Sequence, residues 1–144
     1  MQTIDHRDLC QLCFAKIGKK AKACPYCDGI KNTERYPTSL KEGTVLAGRY
    51  CIGKILGKGG FGITYLCYDL KDDKKVAVKE YMPDSLAYRN EGSLAVTALG
   101  GEKTHRFNEG AKKFFDEAKL VSCFNGNPNI IGVYEFFDEN NTTY

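Results

Sequence analysis

The chain has no apolar run approaching the roughly 20 residues needed to cross a bilayer. Its first eight residues, Met1 to Asp8, lack the apolar stretch of a secretion signal. These two absences set the expected compartment as the cytoplasm. There is little net charge: 21 Lys and Arg against 18 Asp and Glu leave +3, with no dense basic block. That argues against a nucleic-acid partner, whose phosphates need a basic stripe or patch. The nearest basic cluster, Lys16, Lys19, Lys20 and Lys22, reads as a solvated loop. No internal repeat is present beyond two short cysteine pairs. At 144 residues the chain suffices for one ordinary domain, or for a small module and part of a larger one.

What the chain does have is clustered. Four of its seven cysteines form two Cys-x-x-Cys pairs, Cys10/Cys13 and Cys24/Cys27, ten residues apart. In a cytoplasmic chain this is metal-ligand spacing. Zinc takes four thiolates tetrahedrally, and each pair can present two sulfurs from one tight turn, with Gly29 relieving the second. A pair of redox dithiols, or reduced cysteines without metal, are the alternatives; a thioredoxin-like motif would need a βαβ context, which is missing. A module of about 30 residues buries too little apolar surface to fold unaided, which favours the metal. His6 reads as exposed, since four cysteines complete the shell. Cys51, Cys67 and Cys123 read as core or near-core thiols.

Three zones follow: a zinc ribbon over 1–30, a polar linker over 31–45, and a packed α/β unit over 46–144. In the last, Tyr50 to Leu56, Ile63 to Tyr68 and Lys75 to Tyr81 read as strands of an antiparallel meander. Residues 84–103 read as an insertion with little regular structure. Phe107, Ala111, Phe114, Ala118, Val121 and Phe124 recur every three or four residues and predict a helix over Arg106–Phe124. Ile130 to Phe137 reads as a fourth strand. Asp138 to Asn141 reads as a turn, and Thr142 to Tyr144 as the start of a fifth strand.

Between the first two strands lies Leu56-Gly57-Lys58-Gly59-Gly60-Phe61-Gly62, a Gly-x-Gly-x-x-Gly run. Glycines let peptide N–H groups approach phosphate oxygens, and a lysine on the next strand, Lys79, adds a point charge. Alone the run is weak, because dinucleotide folds carry it too. There a helix follows; here Ile63 to Tyr68 is a poor helix start and a good strand.

Taken together, residues 46–144 resemble the N-lobe of eukaryotic-type serine/threonine protein kinases of the kind found in bacteria. The resemblance rests on the glycine run, on Val76-Ala77-Val78-Lys79, on Phe114-Phe115-Asp116-Glu117-Ala118 and on Asn127-Pro128-Asn129-Ile130-Ile131, in that order. Placed after the four-cysteine zinc ribbon read above, it implies an α+β fold: an antiparallel five-stranded sheet with its last strand cut, and an αC helix. It implies that Leu56, Thr64 and Ala77 line an adenine slot, that Gly59, Gly60, Phe61 and Gly62 cover the phosphates, and that Gly57 belongs to the same nucleotide-binding glycine loop. Lys79 would contact the α/β-phosphates and pair with Glu117 as the catalytic lysine–glutamate couple. Thr64 departs from the family's usual valine and adds a hydroxyl. The family's catalytic loop, Asp-Phe-Gly segment and hinge do not occur in these residues. The expectation is therefore a nucleotide-covering portion, cut before the hinge. Its parent would transfer the γ-phosphoryl of ATP to protein hydroxyls with magnesium held elsewhere, and this piece alone would be inactive. A non-catalytic adaptor, with the ribbon contacting a protein partner and the lobe degenerate, is the other reading.

Overall fold

The computed structural model describes residues 8–27 and 35–144. His6, Gly29 and the first part of the expected linker lie outside the described residues. The chain forms two compact units, residues 1–58 with 63–78, and residues 59–62 with 79–144.

The first unit is built on an antiparallel sheet of order β1–β2–β3–β4: β1 Val45–Leu46, β2 Tyr50–Gly59, β3 Gly62–Asp69 and β4 Lys74–Tyr81. The three expected strands are β2, β3 and β4. β2 runs further than its β-branched residues suggested, because Gly57 and Gly59 keep negative φ and stay extended up to a two-residue turn at Gly60-Phe61. Leu46, Ile52, Ile63, Tyr65 and Cys67 are fully buried. Leu40 joins them, its N–H bonded to the Tyr65 hydroxyl at 2.9 Å.

A charged network fastens the turns at one end of this sheet. Asp69, at the end of β3, accepts two hydrogen bonds from the Arg49 guanidinium, at 2.7 and 2.6 Å. It also accepts the backbone N–H groups of Lys71 and Asp72, which shapes the turn into β4. The Arg49 guanidinium holds the Asp69 carboxyl down at about 2, despite its burial.

The second unit packs one helix, α1 (Glu102–Ser122), against two hairpins. Residues 84–103 are more ordered than expected. β5 (Ala87–Arg89) pairs with β6 (Val96–Ala98) in register Ala87 to Ala98. The pairing went unread because each strand is only three residues long. α1 starts at Glu102, earlier than expected, since its first turn is polar and shows no stripe. Gly101 at φ 70° makes the entry, and the Thr104 hydroxyl donates to the Leu99 carbonyl. Phe107 is buried, while Phe124, beyond the helix end, is 49% exposed. Tyr81 docks the helix. Its ring meets Phe107 and Phe114 at 5.1 and 5.6 Å, and its hydroxyl donates to the Phe107 carbonyl. Gly110 leaves the space, since a Cβ there would stand 2.1 Å from that hydroxyl.

The expected strand over Ile130–Phe137 does not form. Ile131 and Tyr134 are 90% and 75% exposed. β-propensity without a neighbouring strand leaves backbone groups unpaired. Here the Asn125 side chain supplies partners instead, donating to the Val133 carbonyl and accepting its N–H. The pairing occurs later, between β7 (Asp138–Glu139) and β8 (Thr142–Thr143), across Asn140 and Asn141. Both asparagines have positive φ, as a tight hairpin turn requires. The expected five-stranded sheet is thus four strands plus two hairpins.

At the centre of this unit Glu80 is fully buried and clamped by Arg89, at 2.6 and 3.1 Å. The Tyr144 hydroxyl donates to the same carboxylate at 2.7 Å, and the Thr142 hydroxyl donates to the Tyr81 carbonyl.

Two predictions follow from these networks. Asp69→Asn should cost about 2 kcal/mol by denaturant titration at pH 7, the range for hydrogen bonds to a charged group. Because the folded carboxyl titrates near 2 and an unfolded one near 3.8, its contribution is intact above pH 4. It should fade as pH falls from about 4 to 2, so the difference between wild type and variant should shrink in that window. Arg89→Leu should be harsher, about 3–5 kcal/mol, because it strands a buried carboxylate. A loss under 1 kcal/mol would show that the pair is not buried in solution.

Candidate functional site

Two arrangements of chemistry-bearing side chains emerge. The first is the cysteine cluster in the first unit. Leu9 bridges Lys16, and the Phe14 N–H bonds the Cys10 carbonyl, so residues 10–15 form a closed turn. Its two thiols face those of Cys24 and Cys27. All four sulfurs lie within 4.8 Å of one another, with Cys10 to Cys27 at 3.7 Å and Cys13 to Cys24 at 3.6 Å. A tetrahedral zinc with Zn–S near 2.3 Å requires sulfur separations of about 3.8 Å. The backbone N–H groups of Leu12 and Tyr26 point at the sulfurs of Cys10 and Cys24, both at 3.4 Å. Such donors favour thiolates. At Cys24 burial opposes ionisation, but the Tyr26 and Cys27 N–H groups and the neighbouring thiols outweigh it and bring the group to about 7. Burial keeps the Cys13 thiol raised. The expected ligands Cys10, Cys13, Cys24 and Cys27 are therefore brought together in a set that fits zinc. The basic residues Lys16, Lys19, Lys20 and Lys22 are all exposed.

The other three cysteines divide. Cys67 is buried, and burial pushes its thiol up to about 12. Cys51 is half-buried. Cys123 is exposed, contrary to expectation, because it caps the end of α1 with its thiol on the Lys119 carbonyl.

The second arrangement lies in the second unit. Gly59 to Gly62 form the tip of the β2–β3 hairpin, and Phe61 is 73% exposed. The tip is seated directly on the lysine strand. The Met82 N–H donates to the Phe61 carbonyl at 3.0 Å, and the Glu80 carbonyl abuts Gly62 so closely that a Cβ would stand 1.9 Å from it. None of Gly57, Gly59, Gly60 and Gly62 adopts a left-handed φ. Their lack of side chains matters here through space: Gly62 for the Glu80 carbonyl, and the others by leaving their surroundings open.

Lys79 is exposed on β4, beside the buried Glu80. Strand alternation sets this pattern: Val76, Val78 and Glu80 point into the core, Ala77 and Lys79 outward. Ala77 is exposed for that reason. The Lys79 ammonium stands 5.5 Å over the Phe114 ring of α1. Glu117 is exposed, and among the described residues no ion pair joins it to Lys79. Glu109 pairs instead with His105 along the helix. In the first unit, Leu56 is 50% exposed and Thr64 half-buried. An open groove of about 620 Å³ lies between α1 and the β7–β8 hairpin, and none of the expected site residues lines it.

Sequence reasoning missed the Glu80–Arg89–Tyr144 network. The signal was available for Glu80, since alternation from Val76 and Val78 places it on the core face. Arg89 and Tyr144 carried none, being set by contacts 9 and 64 residues away along the chain.

The chain matches no protein-family model. It is 26% identical over 138 residues to calcium-dependent protein kinase 8 of Arabidopsis thaliana, covering 90% of this chain and 22% of that protein. It is 29% identical over 102 residues to the serine/threonine-protein kinase PrkC of Bacillus subtilis, covering 71% of this chain and 13% of that protein. Among solved structures it is similar to PpkA-294 in its apo form, with a TM-score of 0.68 and 37% identity, over 74% of this chain and 37% of that one. The chain thus spans less than a quarter of the curated relatives it matches. Among the described residues no helix is long and apolar enough to cross a membrane. The chain is thus similar to serine/threonine protein kinases, and its antiparallel sheet with one large helix matches the fold of a kinase N-lobe, behind a cluster of four cysteines.

Proposed function

We propose that this chain is the nucleotide-covering part of a serine/threonine protein kinase, and that its parent transfers the γ-phosphoryl of ATP to protein hydroxyls. The observation that carries this reading is the seating of the Gly59–Gly62 tip on the strand that presents Lys79. Phosphoryl transfer needs charge neutralisation and positioning more than covalent chemistry. Backbone N–H groups of Gly59, Gly60, Phe61 and Gly62 would cover the phosphates, and Lys79 would neutralise the inner ones. Leu56, Thr64 and Ala77 would meet the adenine, and Gly57 would give the glycine loop its close approach to the nucleotide. Glu117 would pair with Lys79 in the active arrangement, which requires α1 to turn Glu117 from solvent. Magnesium would accompany the nucleotide.

The four cysteines would hold one structural zinc in the reducing cytoplasm. Zinc supplies a cross-link between two turns that share little apolar surface, and no chemistry of its own. The exposed outer face of this module, including Tyr26, is where a protein partner would bind.

Purified under reducing conditions, the protein should contain about one zinc per chain, with an all-sulfur tetrahedral X-ray absorption signature. Cys24→Ser should abolish stoichiometric retention. Finding no zinc in reduced, freshly prepared protein would end the ribbon assignment.

Titration with a fluorescent ATP analogue should show weak, saturable binding. Lys79→Met should weaken it about tenfold, on the order of 1.4 kcal/mol, while Thr64→Val should change it less than about threefold, a difference of roughly 0.6 kcal/mol. Equal affinity in the Lys79 variant would remove Lys79 from the site.

A further inference from the structure

The cysteine cluster does more than close on itself. Its first turn grips β2 at one peptide unit. The Lys54 N–H donates to the Leu12 carbonyl at 2.9 Å. The Gly53 carbonyl, on the other side of that same peptide, accepts from the Arg35 guanidinium at 3.0 Å. Arg35 is itself held by the Leu40 carbonyl and Glu42. The Phe14 ring fills the space above Gly53: a Cβ there would stand 2.5 Å from Phe14 Cε2 and 2.6 Å from the Leu12 carbonyl oxygen. Phe14 also meets the Tyr68 ring at 5.5 Å, and Leu66 packs against the cysteine cluster.

Phe14 holds this position at φ 56°, a left-handed conformation that a bulky residue adopts only when its surroundings enforce it. The enforcing surroundings are the Cys10–Ala15 turn, closed by the Cys10 N–H on the Ala15 carbonyl and the Phe14 N–H on the Cys10 carbonyl, which sets Cys10 and Cys13 opposite Cys24 and Cys27. From the gripped peptide, β2 runs straight to Leu56, Gly57 and Lys58, about 13 Å further for four residues at strand rise. There the grip recurs, with the Lys58 ammonium 4.3 Å over the ring of Tyr36, the neighbour of Arg35.

We propose that the four-cysteine module is a metal-dependent clamp on β2, and that metal occupancy is thereby coupled to nucleotide affinity. Zinc fixes the 10–15 turn. The turn holds the Gly53–Lys54 peptide and seats Phe14, and β2 delivers Leu56, Gly57 and Lys58 in a fixed position. Removal of the metal frees the turn and loosens the strand that leads into the glycine hairpin. Linkage makes the coupling reciprocal, so a nucleotide should also tighten zinc retention. This inference rests on the zinc and nucleotide readings above.

The test is hydrogen exchange read by mass spectrometry on the full 144-residue chain, zinc-loaded and after chelation, with metal content measured in parallel. On chelation the amides of Cys51 to Lys58 should exchange at least tenfold faster, while those of α1 stay within about twofold. Phe14→Ala should reproduce the loosening with zinc still bound, and Phe14→Leu should do so more weakly if the alanine variant unfolds. The fluorescent ATP analogue should bind at least threefold more weakly to the chelated chain. A chain that binds zinc stoichiometrically yet shows unchanged β2 exchange after chelation would overturn the clamp and leave the zinc site standing. A chain that binds no zinc would overturn the metal site and, with it, the metal dependence of the clamp.

Discussion

The buried carboxylate of Glu80 is the constraint on which the second unit turns. A charge taken out of water must be matched in place, or the structure around it gives way. Glu80 meets that demand with Arg89 from β5 and the hydroxyl of Tyr144 beyond β8. Arg89 in turn donates to the Leu94 carbonyl in the β5–β6 loop. One carboxylate thus ties the lysine strand to both hairpins. Its own backbone carbonyl is the surface on which Gly62 rests. The residue after it, Tyr81, docks α1 through its ring and hydroxyl. Three consecutive residues, Lys79, Glu80 and Tyr81, therefore present the charge, anchor the hairpins and seat the helix.

The first unit meets a different problem in a different way. Its N-terminal turns hold too few large apolar side chains to make an independent core, and Leu12 and Phe14 are their main contributions. Leu12 packs among the cysteines, whereas the Phe14 ring is spent on the sheet, over Gly53 and against Tyr68. The cysteines and Leu12 carry the internal cohesion, and Phe14 carries the attachment. Such a division suits a small module that must be rigid and also fixed to its neighbour.

The legible features were those with local causes. The two Cys-x-x-Cys pairs specify tight turns, and the sulfurs do converge. β2, β3 and β4 were readable because β-branched and aromatic residues alternate between turn-forming stretches. The α1 stripe was readable from Phe107 onward, where packing begins, but not in its polar first turn. What escaped was set by partners distant in sequence. Residues 130–137 have strand composition, yet no strand runs beside them, and Asn125 satisfies part of their backbone instead. The three-residue strands β5 and β6 are too short to show a period and exist because they pair with each other. Within the candidate site, the lysine and glycine positions followed from motif spacing. The placement of Glu117 did not, because a helix can present its glutamate to solvent without any change in sequence.

The alternation along β4 sets a narrow tolerance for this fold. Lys79 faces water and Glu80 faces the core, one peptide apart. A single-residue shift in the pairing of β4 would exchange them, burying an ammonium where Arg89 waits and exposing the carboxylate. Like charges would then meet at the centre of the unit. The arginine that anchors the architecture thereby also proofreads the strand register, rejecting a misfold that would bury Lys79.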